Sequence, residues 1–267
     1  MCSVYGPAAN KKVQSAMSKK TILVTNDDGI YSEGIKVLAE ALEEIGEVWI
    51  VAPQHEQSAV GHSLTLHRPL RIHQHGPREI SVDGTPTDCV VFAVFNVIGK
   101  RPDLLVSGIN KGGNMGHDIT YSGTVSAAWE GTLLHIPSFA VSLLPDEQEN
   151  FYFEPAAAFA CRLGQAVLKY RLPANTLLNV NVPNTSGKAI EHYKVTRQGK
   201  RFFGDPIVER VDPRGKEYYW IGGPYLGFDA IPDSDLVAVH DHYISITPIL
   251  IDLTSYTAME SLRTWQI

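Results

Sequence analysis

Cysteine is scarce in this chain: Cys2, Cys89 and Cys161 are the only three in 267 residues. An odd count with no CxxC spacing indicates neither a disulfide framework nor a zinc–thiolate site, and it fits a reducing, cytoplasmic setting. No apolar run approaches the length of a membrane span. The first twenty residues hold no continuous apolar stretch of signal-peptide type. Met17 is a candidate natural start, so residues 1–18 read as a disordered extension before a single domain over 19–267. Positive charge is also short. Lys+Arg number 23 against 29 Asp+Glu, a net charge of -6, which argues against a partner that is a nucleic-acid polymer and leaves room for a local pocket for a small phosphate. Several signatures are missing as well. Without GxxxxGK[ST] there is no P-loop, without GxGxxG after the first strand a dinucleotide site is weakened, and without GxSxG or HExxH neither a nucleophile elbow nor a zincin helix is expected.

What is present begins with Ile22-Leu23-Val24-Thr25-Asn26-Asp27-Asp28-Gly29, a short apolar β run ending in two adjacent carboxylates. Two such charges 4 Å apart repel by about 4 kcal/mol at an effective dielectric of 20. A fold that holds them together at a strand tip implies a cation there. A solvated turn with an N-cap Asp is the plainer alternative. Ile35, Leu38, Ala39, Leu42 and Ile45 then recur at helical spacing. Val48 to Ala52 reads as a buried strand, Gln54 to His62 as a polar loop, and Leu64 to Val82 as short antiparallel strands. Thr85-Pro86-Thr87-Asp88 has the form of a helix start, with Thr85 as N-cap, Pro86 at N1 and Asp88 at N3. Leu104 to Ser107 is a further buried strand, followed by a Gly-rich loop, a helix from about Thr124 to Leu134, a strand from Ser138 to Leu143, a helix from Pro155 to Tyr170 and a strand from Leu177 to Val182. This alternation predicts an α/β layer fold with a mainly parallel sheet. After Gly187 short aromatic-rich β runs suggest a protruding hairpin over residues 191–225, then a late strand and a C-terminal arm. His240, Asp241 and His242 read as a polar loop.

Open α/β sheets place ligands beyond the carboxyl ends of their strands. Three predicted strand ends carry Asp27 and Asp28, Ser58, and Asn110. These are hard oxygen donors, suited to Mg²⁺ or Mn²⁺. Tyr121-Ser122-Gly123-Thr124 opens a helix whose N-terminal N–H groups form a natural phosphate site, or a plain N-cap. His55, His62 and His117 lie in the same loops as candidate acids or bases.

At these residues the chain resembles the SurE family of stationary-phase survival proteins. The resemblance lies in ILVTNDDG (Ile22 to Gly29), VAPQHEQSAVGHSLT (Val51 to Thr65), DGTPTDCV (Asp83 to Val90) and PDLLVSGINKGGNMGHDITYSGTVSAAWEG (Pro102 to Gly131), with a weaker block at SITPILIDLT (Ser245 to Thr254). It implies a Rossmann-like three-layer α/β/α fold and one divalent ion, Mg or Mn, held by Asp27, Asp28, Ser58 and Asn110. It further implies catalytic roles for Asp27 and Asp28, and substrate-phosphate contacts from Asn114, Ser122, Gly123 and Thr124. The implied activity is hydrolysis of nucleoside 5'- and 3'-monophosphates, with short-chain polyphosphate as a further substrate. A homodimer or homotetramer is implied, with hairpin and arm exchanged between subunits. A non-catalytic nucleotide or polyphosphate sensor is the alternative use of the same pocket. An acyl or amide hydrolase using Ser58 or Ser122 lacks any Ser/His/Asp spacing.

Overall fold

A computed structural model of the chain describes residues 19–186, 188, 190–204 and 207–266; the expected extension over 1–18 lies outside the described residues. The first strand, β1 (Thr21–Thr25), is buried at all five positions. Side chains alternate across a strand, so β1 faces two apolar layers. Ile22 and Val24 meet helices α1 (Glu33–Leu42) and α4 (Phe153–Tyr170), whereas Leu23 meets α2 (Pro86–Phe92) and α3 (Gly123–Leu133). The result is the expected three-layer α/β/α sandwich.

The central sheet has nine strands. These are β1, β2 (Glu47–Pro53), β3 (Ile72–Gly76), β4 (Glu79–Val82), β5 (Leu104–Lys111), β6 (Ser138–Leu143), β7 (Thr176–Val182), β8 (Tyr193–Val195) and, late in the chain, β13 (Ile244–Leu250). Their order is β3-β4-β2-β1-β5-β6-β7-β13-β8. The run β4-β2-β1-β5-β6-β7 is parallel throughout, and only β3–β4 and β7–β13 pair antiparallel. Chain direction across the sheet reverses between β1 and β5, which makes the crevice above their carboxyl ends the topological switch point where such sheets bind ligands.

The helix start at Thr85 forms as expected. Thr85 accepts from the Asp88 N–H at 3.1 Å while Asp88 accepts from the Thr85 N–H at 2.8 Å, a reciprocal capping box. Other details differ from the sequence expectation. The strand beginning at Leu104 does not stop at Ser107 but runs to Lys111 through a register shift. Gly108 makes this possible, because its φ of 140° is left-handed and a Cβ there would lie 2.3 Å from the Val141 carbonyl oxygen. Only Ile72 onward is strand within the Leu64 to Val82 segment, and β4 also pairs in parallel with β2. Asp241 and His242 form a turn as read, whereas His240 closes a helix, α5 (Asp235–His240), capped by Ser234.

Beyond the main sheet, β9 (Arg201–Phe203) pairs with β12 (Tyr225–Phe228), and β10 (Ile207–Val211) pairs with β11 (Glu217–Ile221). β8 belongs to the main sheet, so the separate ribbon spans Arg201–Phe228 rather than starting at 191. All of β11 is exposed, and so is α6 (Tyr256–Leu262) in the C-terminal arm. Among the described residues no helix is long and apolar enough to cross a membrane.

Candidate active site

The turn after β1 is built by Asn26. Its side-chain amide donates to the Gly29 carbonyl at 3.0 Å and to Ser32 Oγ at 2.8 Å, and its oxygen accepts from the Gly29 N–H at 3.2 Å. The Ile30 N–H donates to the Pro53 carbonyl, which ties this turn to the end of β2. Asp27 and Asp28 are thereby held at the switch point.

Asp27 is almost wholly buried. Its carboxylate accepts from the Thr124 N–H at 3.0 Å and from the Thr124 hydroxyl at the start of α3. Close approach of α3 requires Gly123, where a Cβ would stand 2.8 Å from Asp27 Cβ. Burial pushes the Asp27 carboxyl up from its ordinary value, and the Thr124 hydrogen bonds oppose that shift without reversing it. Asp28 is less enclosed and accepts from the Lys111 N–H at 3.3 Å. Burial first, then the neighbouring Asp27 charge, raises it to about 6. No Lys, Arg or His forms an ion pair with either carboxylate among the described residues.

Ser58 lies in the loop after β2, and the Gln57 N–H donates to the Asp27 carbonyl at 2.7 Å. The Ser58 hydroxyl donates to Glu56 at 2.6 Å. Glu56 was not foreseen; it stands near enough for its charge to raise both aspartates further. Asn110 sits on β5, the strand beside β1, with its side-chain amide donating to the Gly112 carbonyl at 2.8 Å. Asp27, Asp28, Ser58 and Asn110 thus come from three segments to one edge of the sheet. Among the described residues no three His, Cys, Asp or Glu side chains converge as metal ligands. The four candidates are instead two anionic and two neutral oxygen donors. Two adjacent carboxylates, one buried and one partly so, that form no ion pair among the described residues suit a divalent cation.

The remaining candidates are engaged within the protein. Ser122 Oγ caps α3 by accepting from the Val125 N–H at 3.1 Å, and both donors of Thr124 go to Asp27. The Asn114 side chain donates to Ser142 Oγ at 2.8 Å. Its backbone is clamped by β7: Asn181 Oδ1 accepts its N–H at 2.8 Å, and the Asn179 and Asn181 amides donate to its carbonyl at 2.8 and 2.9 Å. The signal for this clamp was present in sequence as Asn-Val-Asn within an apolar strand. His62 is directed elsewhere, to Glu130 at 2.8 Å. His117 lies in the turn Gly116–Thr120, and His55 is exposed in the loop after β2.

Comparison with known proteins matches residues 22–205 to the family model described as Survival protein SurE. A protein of Geotalea uraniireducens named 5'-nucleotidase SurE is 51% identical over 246 residues, covering 92% of this chain and 99% of that protein. One of Geobacter metallireducens with the same name is 52% identical over 244 residues, covering 91% and 96%. The crystal structure of the SurE protein from Aquifex aeolicus superposes with a TM-score of 0.82 at 44% identity, covering 91% of this chain and 98% of that one. With the family model spanning most of the chain and half its residues shared with these relatives, the chain belongs to the SurE survival protein family.

Proposed function

We propose that this protein is a divalent-metal-dependent phosphomonoesterase that hydrolyses nucleoside 5'-monophosphates, and 3'-monophosphates with them, to nucleoside and phosphate. The observation that carries this reading is the adjacent Asp27–Asp28 pair at the switch point, Asp27 buried and Asp28 partly so, which forms no ion pair among the described residues. The family membership and the relatives named 5'-nucleotidase SurE support it.

Asp27, Asp28, Ser58 and Asn110 would hold one Mg²⁺ or Mn²⁺. When bound, the ion supplies charge neutralisation at the phosphoryl oxygens and a water of lowered pKa. The protein's own groups then divide the remaining work. Thr124 fixes the Asp27 carboxylate through two hydrogen bonds, so Asp27 serves as a rigid anchor. Asp28, more open and held at one oxygen by the Lys111 N–H, is the carboxylate available to a reacting water. The helix dipole of α3 and the Gly123 N–H favour a phosphate beside Asp27. Short-chain polyphosphate shares the same terminal group and is a further substrate. The protein works in the cytoplasm as a homodimer or homotetramer, for which the exposed ribbon and C-terminal arm supply the contact surface.

The test is phosphate release from a panel of 5'- and 3'-nucleoside monophosphates with Mn²⁺ or Mg²⁺, repeated with EDTA. Release that EDTA abolishes is the expected result. Release that persists in EDTA would overturn the metal-dependent reading, and no release with either metal would overturn the phosphomonoesterase reading.

A further inference from the structure

Ser58 is the least supported of the four candidate metal ligands. Thr124 fixes Asp27, the Lys111 N–H donates to Asp28, and Asn110 lies on β5 in the middle of the sheet. Ser58, by contrast, is exposed in the loop after β2. Its hydroxyl bonds only to Glu56, two residues away in the same loop, at 2.6 Å. That contact cannot fix the loop against the sheet, because both partners move together.

The loop is held instead on either side of Ser58. Before it, the Gln57 N–H donates to the Asp27 carbonyl at 2.7 Å. After it, the Gly61 N–H donates to the Tyr121 carbonyl at 3.0 Å. One side-chain contact reinforces the second anchor. His62 Nε2 donates to Glu130 Oε2 on α3 at 2.8 Å, and the His62 ring lies 6.4 Å from that of Trp129.

Glu130 is an uncommon residue for its place. It sits in the packed part of α3, only 9% exposed, where a carboxylate is costly unless it is partnered. His62 is its one side-chain partner among the described residues. An apolar side chain would pack there without that cost, but it could not reach out to hold an exposed loop. The same helix holds Asp27 through Thr124. Thus α3 supports two segments of the candidate metal site, one at its first turn and one through the His62–Glu130 pair. We infer that Glu130 is a positioning residue for the metal, acting through His62 to hold the Ser58 hydroxyl beside Asp27, Asp28 and Asn110. The inference rests on the metal site proposed above and deepens it.

Two measurements on the full-length protein test it together. The first is amide hydrogen exchange in EDTA, read over residues 54–62 and, for comparison, over β1 and β5. The second is the Kd of Mn²⁺ by calorimetry. The variants are His62→Ala, at an exposed position, and Glu130→Met, which keeps length and apolar packing but removes the acceptor. Glu130→Gln keeps an oxygen for the His62 N–H and serves as the conservative control. Both disruptive variants are expected to speed exchange in the 54–62 loop while leaving β1 and β5 protected. Each should also weaken Mn²⁺ binding about tenfold, the low end for residues that orient a metal ligand, and the double variant should be no weaker than either alone. Glu130→Gln should retain most of the wild-type affinity. Faster loop exchange with an unchanged Kd would overturn the inference, and so would a weaker Kd with unchanged loop exchange. If the variants also keep wild-type nucleotide hydrolysis, the nucleotidase reading stands without it. Loop exchange and Kd that change together in a protein that hydrolyses no nucleotide would support the positioning role and overturn the nucleotidase reading. Wild-type protein that binds no Mn²⁺ would overturn both.

Discussion

Asp27 and Asp28 are neighbours in sequence with unlike surroundings, and the difference predicts unlike responses to substitution. Asp28→Asn should lower kcat roughly 10²–10³-fold, the scale of losing one group that acts on developing charge. It should also stabilise the metal-free protein. The ordinary Asp value is 3.8 and the folded one about 6, so the fold disfavours the ionised form. That cost is absent below pH 3.8, grows as pH rises towards 6, and persists above it. Thermal unfolding in EDTA should therefore show a gain for Asp28→Asn of about 1–2 kcal/mol at pH 7.5, after discounting for solvent screening. The gain should fade as pH falls through 6; an equal gain at pH 4 and 7.5 would refute the burial argument. Thr124 acts on the other carboxylate. Thr124→Val keeps the buried shape but removes the hydroxyl donor to Asp27, and should raise the half-saturating Mn²⁺ concentration about 10–100-fold, as expected when a ligand loses its supporting partner. Thr124→Ser should retain most of the wild-type affinity.

Among the elements, α3 and β1 meet at one point of near contact. Gly123→Ala is compatible with a helix start and would leave most packing intact. Its methyl group, however, would press on Asp27 at 2.8 Å. Activity should drop by about tenfold or more while the melting temperature moves by only a few degrees; an active variant would show that Asp27 tolerates displacement. Elements of this kind were largely legible in the sequence, because their signals are local. The capping residues Thr85 and Asp88, the alternation in β1 and the helical spacing from Ile35 to Leu42 all act within a few positions. What was not legible depends on distant partners. β5 extends past Gly108 because β6 continues to pair with it at Asn110 and Lys111. α5 is only six residues long, too short for periodicity, and forms under Ser234 as cap with Asp235 accepting from Gly116 and Gly199. At the site, sequence pattern pointed to Asp27, Asp28, Ser58 and Asn110 as strand-end residues. It did not show that Thr124 turns to Asp27, that Glu56 adds a third negative charge, or that Asn114 is held by β7.

For the whole molecule, a cation that binds the folded state alone stabilises it by mass action. At a concentration 100 times its Kd, Mn²⁺ contributes about 2.7 kcal/mol, a rise of roughly 5–10 °C in melting temperature for a chain of this size. Asp28→Asn should abolish most of that rise in a thermal shift titration. The ribbon presents Tyr218, Tyr219, Trp220 and Ile221 to solvent, and replacing Trp220 by Ser should lower the assembled mass seen by sedimentation if these side chains form the subunit contact. The position of β1 has one more consequence, and it concerns synthesis rather than catalysis. β1 is made first but lies between β2 and β5, and the hydrogen bond that locks its start to the far side joins residues 82 apart. A nascent chain emerging from the ribosome therefore carries an apolar strand with one open edge for several seconds before its second neighbour is translated. During this interval the open edge of β1 is a template on which a wrong strand can pair.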